Sequence, residues 1–254
     1  MKLKQTFAVL LAAGALVLTA CTPRGAASSS AAAPTAPTAP TATAAPQPTE
    51  APADSENTDT SKAADTAAEP TGGKILIAYF TAAENSGVDA VASASYSTVE
   101  GTAIGRVRAL ADFIQADVGG DLFSIRTVET YPVGINEVID QAAQEQAANA
   151  RSELADHIDN LDDYDTIFIG YPNWWGDLPM PVYSFFDEYD LSGKTIIPFN
   201  THNGSRLSRT VQTIQKLEPD ATVVTDAFTV HESQVPDAKS DMDAWLTDIG
   251  FTMQ

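Results

Sequence analysis

From Lys74 to Phe80 the chain reads Lys-Ile-Leu-Ile-Ala-Tyr-Phe, an apolar run with no polar alternation. A strand with one wet face alternates, so this pattern suits a strand buried on both faces. Thr166-Ile167-Phe168-Ile169-Gly170-Tyr171 has the same character. Between and after these runs the apolar residues recur at helical spacing. Ile104, Val107, Leu110, Ile114 and Val118 predict a helix that stops at Gly119-Gly120. Asp121 to Val128 predicts a second strand, and Ile135, Val138, Ile139 and Ala142 open a helix reaching about Arg151. Pro181 to Tyr189 predicts a third helix, with Pro in the first turn, where a missing N–H does no harm. Thr195 to Phe199 and Thr222 to Val230 read as the last two strands. Leu207, Val211, Ile214 and Leu217 mark one further helix, and Met242, Trp245, Leu246 and Ile249 another. Strands alternating with helices in this way imply an α/β fold, a parallel sheet covered on both faces. Ligands of such sheets bind outside the carboxyl ends of the strands, which singles out the loops after strands one, three and four.

Only residues 74–254 can supply the core. They hold all three Trp, all seven Tyr and nine of the ten Phe, whereas residues 1–73 hold eight of the fifteen Pro. Lys2 and Lys4 precede an uncharged apolar run from Phe7 to Leu18, the pattern of a secretory signal. Its end, Leu18-Thr19-Ala20-Cys21, resembles a bacterial lipobox, which implies cleavage before Cys21 and lipid attachment to that residue. A plain secretory signal with a chance cysteine is the bland alternative, but Cys21 is the only Cys in the chain. Residues 1–20 are thus expected to be a signal peptide. Residues 21–73 then form a disordered Ala/Thr/Pro tether spanning roughly 40 Å even as a flexible coil. The expected location is outside the cytoplasmic membrane, held there by lipid alone. No second apolar run approaches spanning length. With Cys21 modified no thiol remains, so redox chemistry has to come from a bound cofactor.

Charge narrows the classes further. Residues 74–254 carry ten Lys and Arg against 28 Asp and Glu. So acidic a surface does not neutralise nucleic-acid phosphates, and it favours basic redox partners.

The three loops are unusual in composition. After strand three comes Tyr171-Pro172-Asn173-Trp174-Trp175-Gly176-Asp177-Leu178. Adjacent Trp residues cannot both point into one core from an ordinary element, so at least one is expected to be free to stack on a flat ligand. After strand four comes Asn200-Thr201-His202-Asn203-Gly204-Ser205-Arg206, dense in short hydrogen-bonding groups. It reads as a turn and cap, or as donors for the carbonyls of a heterocycle. After strand one a long loop, about 81–101, runs from Thr81 to Gly101-Thr102 before the helix. Gly and Thr ahead of a helix can cradle a phosphate, though they also serve as routine caps.

The order of elements, the run Ile75-Leu76-Ile77-Ala78-Tyr79-Phe80, the segment Gly170 to Asp177 and the loop at Asn200-Thr201-His202 resemble the flavodoxin-like family. The resemblance is nearest to bacterial members with a tryptophan pair in the middle loop, and it covers essentially all of 74–254. It implies a three-layer sandwich around a five-stranded parallel sheet of order 2-1-3-4-5, with FMN bound non-covalently. By that resemblance the first loop holds the phosphate. Pro172, Asn173, Trp174, Trp175 and Gly176 hold one face and edge of the isoalloxazine, and Asn200, Thr201, His202, Asn203, Gly204 and Ser205 its other edge. The chain departs from the family at the helix start, where the usual Gly-Asn-Thr is replaced by Gly105-Arg106-Val107 and an insertion runs from about Ala82 to Ser97. Thr81, Thr102 and the amides of Gly101 and Gly105 remain as phosphate ligands, with Arg106 or Arg108 adding charge.

The expected role is electron transfer through FMN outside the membrane, serving a redox protein or a small acceptor. Two alternatives stand beside it. One is a scaffold lipoprotein that has lost its flavin, motivated by the altered first loop. The other is an FMN-dependent reductase of quinones or nitro-compounds, with His202 or Tyr79 as proton donor. His157, His202 and His231 show no metal spacing, and Asp162-Asp163-Tyr164-Asp165 lacks a calcium-loop pattern.

Overall fold

The computed structural model describes residues 73–86 and 96–253. The leader, Cys21 and the tether lie outside the described residues, as do residues 87–95 of the insertion. Among the described residues no helix is long and apolar enough to cross a membrane.

The apolar run becomes β1 (Lys74–Tyr79), which pairs in parallel with β4 (Asp121–Ser124) and with β5 (Tyr164–Pro172). Beyond β5 lies β6 (Thr195–His202), which pairs in parallel with β7 (Thr222–Val223) and then with β8 (Phe228–His231). The order β4-β1-β5-β6-β7 is the expected 2-1-3-4-5 once β7 and β8 are taken as one broken strand. Both faces of the sheet are covered, as the lack of alternation predicts. Leu76 and Ala78 point into a core shared with α3 (Ile135–Ala148), α4 (Met180–Glu188) and α5 (Thr210–Leu217). Ile77 and Tyr79 point the other way, into a core with α2 (Arg106–Val118) and α6 (Lys239–Asp248).

The structure corrects several boundaries. The segment after β1 is not loop throughout. It holds a short helix, α1 (Ala82–Asn85), and an antiparallel hairpin of β2 (Tyr96–Val99) and β3 (Thr102–Gly105). Glu100 and Gly101 turn that hairpin with φ of 49° and 82°, the left-handed pair a tight two-residue turn requires. Ile104 therefore belongs to β3, and the helix starts at Arg106. β4 ends at Ser124 instead of Val128, because the chain then leaves the sheet and the Thr127 amide donates to Asn85 Oδ1 at 2.8 Å. β6 outruns its predicted end at Phe199 and carries Asn200, Thr201 and His202 as strand residues. The last strand breaks between Val223 and Phe228, where the Trp245 indole N–H donates to the Asp226 carbonyl at 2.8 Å.

Candidate functional site

A cavity of about 310 Å³ opens at the carboxyl ends of β1, β5 and β6. Its most distinctive wall is the loop after β5. Trp174 and Asp177 exchange backbone hydrogen bonds of 3.1 and 3.0 Å, which closes a tight turn with Trp175 and Gly176 at its centre. Both central residues are left-handed, with φ of 51° and 79°. Gly176 adopts this without strain, but a bulky aromatic does not, and such a residue costs on the order of 1–3 kcal/mol. The surroundings hold the turn from three directions. Asn173 Oδ1 accepts the Gly176 amide at 2.9 Å, while its Nδ2 donates to the Arg206 carbonyl at 2.6 Å. Asp177, nearly buried, accepts both Nε and Nη2 of Arg209, at 3.0 and 2.8 Å, and the Thr213 hydroxyl at 3.0 Å.

This turn divides the labour of the two indoles. Trp174 packs edge-on against Phe80 and Tyr131, with centroids 5.5 and 5.8 Å away. Trp175 stands 49% exposed at the mouth of the same cavity. One indole thus anchors the loop, and the other is available to stack.

At the opposite end the cavity reaches the start of α2. Gly105 is the N-cap and offers no side-chain acceptor, so the first-turn amides of α2 are left for another partner. A Cβ on Gly105 would sit 3.0 Å from Thr81 Oγ1, so the absence of a side chain keeps this corner open. Thr81 is 2% exposed and lines the cavity, yet no hydrogen bond among the described residues uses its hydroxyl. Arg106 and Val107 complete that end, and Glu232 faces Arg106 across it.

His202 borders the third side with Thr201 and Asn203. Its Nδ1 accepts the Gly204 amide at 3.0 Å, which leaves the ring proton of the neutral form on Nε2. Burial, with His231 and Arg206 nearby, lowers its pKa below the ordinary histidine value. His231 stands opposite His202 in register on β8, the two rings 5.6 Å apart.

Of the residues singled out from sequence, Thr81, Arg106, Pro172, Asn173, Trp174, Trp175, Thr201, His202 and Asn203 line the cavity together. Others stand outside its lining. Gly101 and Thr102 are exposed at the tip of the hairpin, and β3 carries the chain from there to the helix. Gly105 borders the cavity through Thr81, and Gly176 serves as the turn's hinge. Asn200 is fully buried and donates to the Arg206 carbonyl at 3.2 Å. Gly204 faces a separate cleft beside His231, and Ser205 is exposed beyond it. Tyr79 does not reach the cavity. Its hydroxyl donates to Glu84 at 3.0 Å and accepts Arg108 at 2.9 Å in another open cleft. Burial and Glu84 push that phenol up to about 12, and because it lies in the other cleft it is no proton donor for this cavity.

The remaining wall was not legible as a site. Ile135, Val138, Ile139 and Ala142 of α3 line the cavity, yet in sequence they are only a helix's apolar stripe. The one available signal was the width of that stripe, since Ile139 remains 44% exposed. Among the described residues no cluster of His, Cys, Asp and Glu could hold a metal ion. What the cavity offers is an exposed indole and an apolar wall for a flat ring, and a helix amino terminus with a spare hydroxyl for an anion.

Residues 74–249 match the family model of flavodoxin. Among solved structures, the chain is similar to a Bacteroides eggerthii protein assigned as a flavoprotein, at 26% identity and a TM-score of 0.53. That match covers 70% of this chain and 98% of the other. A second protein so assigned, from Bacteroides uniformis, is 25% identical with a TM-score of 0.50 and covers 66% of this chain and 97% of its own. Comparison with curated proteins gives no match.

Proposed function

The chain belongs to the flavodoxin family, and from that premise we propose that the cavity binds FMN and that the protein transfers electrons through it. The observation that carries this reading is the Trp175 turn. A bulky residue is held in left-handed backbone, braced by Asn173 and Asp177, and left half exposed over an apolar cavity. Strain of that kind persists where the fold over-determines it, typically at ligand sites. The residues fit the group at both ends. Trp175 would cover the ring, Thr201, His202 and Asn203 would border its edge, and Thr81 with the α2 amides would take the phosphate.

FMN, when bound, supplies the redox chemistry. The protein binds, orients and shields it. Trp174, locked against Phe80 and Tyr131, fixes the height of the turn and hence of Trp175. Ile139 and Val138 exclude water from the apolar side. His202 carries a proton on Nε2 at the rim, positioned by the Gly204 amide. The acidic domain opposes any added negative charge in the cavity, which lowers the potential and favours a basic partner.

Lipid attachment at Cys21 and a place outside the cytoplasmic membrane belong to the same proposal. The leader pattern and the single cysteine support it. A second reading, reduction of small apolar acceptors such as quinones, is favoured by one observation. Ile139 and Trp175, two of the large exposed apolar residues, face the same cavity.

The test is direct. The full-length chain, supplied with FMN and desalted, is expected to stay yellow and to quench flavin fluorescence. A colourless protein that leaves the fluorescence unchanged refutes the proposal. Trp175→Ala is expected to weaken binding about tenfold, the order of one aromatic contact with its buried area, at unchanged stability. Turnover of NADPH with a quinone would favour the reductase reading over the carrier.

A further inference from the structure

We propose that Arg106 makes the cavity select a flavin that bears a terminal phosphate, and that Glu232 and Ser97 hold its guanidinium ready for that phosphate. The inference rests on the FMN reading and adds to it a residue that determines specificity.

The first ground is charge. The domain's excess of acids over bases repels a phosphate dianion at long range, so binding one needs a local cation. Among the described residues lining the cavity, Arg106 is the one Lys or Arg and Glu232 the one carboxylate. The second ground is placement. Arg106 is the first residue of α2, at the helix end whose amides already favour an anion. Thr81, 2% exposed, lies at the same corner beside Gly105, and no hydrogen bond among the described residues uses its hydroxyl.

The third ground is the state of the guanidinium. Its Nε donates to Ser97 Oγ at 3.1 Å and its Nη1 to Glu232 Oε2 at 3.3 Å. Of five N–H donors, two are engaged and three remain. The bond to Ser97 comes from the hairpin, which has no place in the predicted loop, so the insertion supplies the group that aims the cation. The Glu232 contact is long for a charge-assisted bond, and the pair is three-quarters buried or more. A phosphate, with more charge and a geometry suited to two parallel N–H donors, outcompetes a single carboxylate contact. Arg106 thereby supplies what the missing Asn and Thr of the usual Gly-Asn-Thr would have given, through charge instead of neutral hydrogen bonds.

Quenching of flavin fluorescence by the full-length chain tests this, with FMN and riboflavin titrated separately. The unaltered chain is expected to bind FMN more tightly than riboflavin, and inorganic phosphate to compete with FMN alone. Arg106→Gln should lose FMN affinity by roughly 10- to 100-fold, the worth of one charge-assisted hydrogen bond, and leave riboflavin affinity unchanged. Arg106→Lys should restore part of the difference. If Arg106→Gln weakens both flavins equally, or neither, Arg106 is structural and the inference is overturned. Equal affinity of the unaltered chain for both flavins overturns it too, leaving the flavin reading intact. Binding of neither flavin overturns that reading itself.

Discussion

Trp174 and Trp175 are adjacent and chemically identical, yet one packs half-buried against the core and the other is surface. Trp174 meets Phe80 and Tyr131 edge-on, whereas Trp175, at left-handed φ, touches Trp174 edge-on and stands outside that cluster. Sequence predicted that the two must diverge, because neighbours cannot share one core. Which one diverges depends on Asn173, Asp177, Arg206 and Arg209, and the last two come from the loop after another strand. A second residue-scale feature is Glu218, nearly buried at the end of α5, whose carboxyl is pushed up to about 7 by burial and then by Asp190 and Asp187. A raised carboxyl pKa means that folding favours the protonated form. Its contribution is full below the unfolded value and is lost as pH rises through about 7. Glu218→Gln is therefore expected to raise the Tm at pH 8, by about 2–4 °C for each 1 kcal/mol recovered, and to leave it unchanged at about pH 4, below the unfolded value. An equal change at both pH values would show that Glu218 does not titrate between them.

Among the elements, those with two buried faces were legible and those with one contact were not. β1 and β5 announce themselves because each residue must be apolar whichever way it points. The hairpin of β2 and β3 carries polar and small residues, Tyr-Ser-Thr-Val and Thr-Ala-Ile-Gly, and its pairing partner is only itself. Nothing in such a segment separates strand from loop before its tertiary seat is known. The broken last strand shows the same limit from the other side. Residues 222–231 alternate well enough to read as continuous, but the interruption between β7 and β8 places the Asp226 carbonyl beneath the Trp245 indole. Trp245→Phe keeps most of the apolar area and deletes that donor. A loss of about 1–2 kcal/mol is expected in denaturant unfolding, with amides 224–228 exchanging faster. Unchanged exchange there would mean the break is set by the strands and not by α6.

At the scale of the molecule, charge rather than packing sets the response to conditions. With ten cations against 28 acids in residues 74–254, the excess acids repel one another in the compact state. Raising salt shortens the screening length from about 30 Å at ~0.01 M to ~3 Å at 1 M. The Tm is expected to rise by about 2–5 °C over that range, since a few such pairs at a fraction of a kcal/mol each suffice. A flat or falling Tm in NaCl would show that the acids are already neutralised by local pairing.

Sequence by itself determined the layer architecture, and with it the end of the sheet where a site must lie. Burial on both faces leaves a period-free apolar signature, and the alternation of such runs with helical ones picks out the covered parallel sheet. It also determined that an acidic, aromatic-rich stretch follows a proline-rich one, because composition needs no coordinates. Only the tertiary structure decided which residues share the cavity. Arg106 meets Glu232 across 126 positions, and Asp177 meets Arg209 across 32. The α3 stripe becomes a wall only when its helix crosses behind the Trp loop. Side-chain direction in loops follows turn geometry, and that geometry is held by partners the local sequence cannot name.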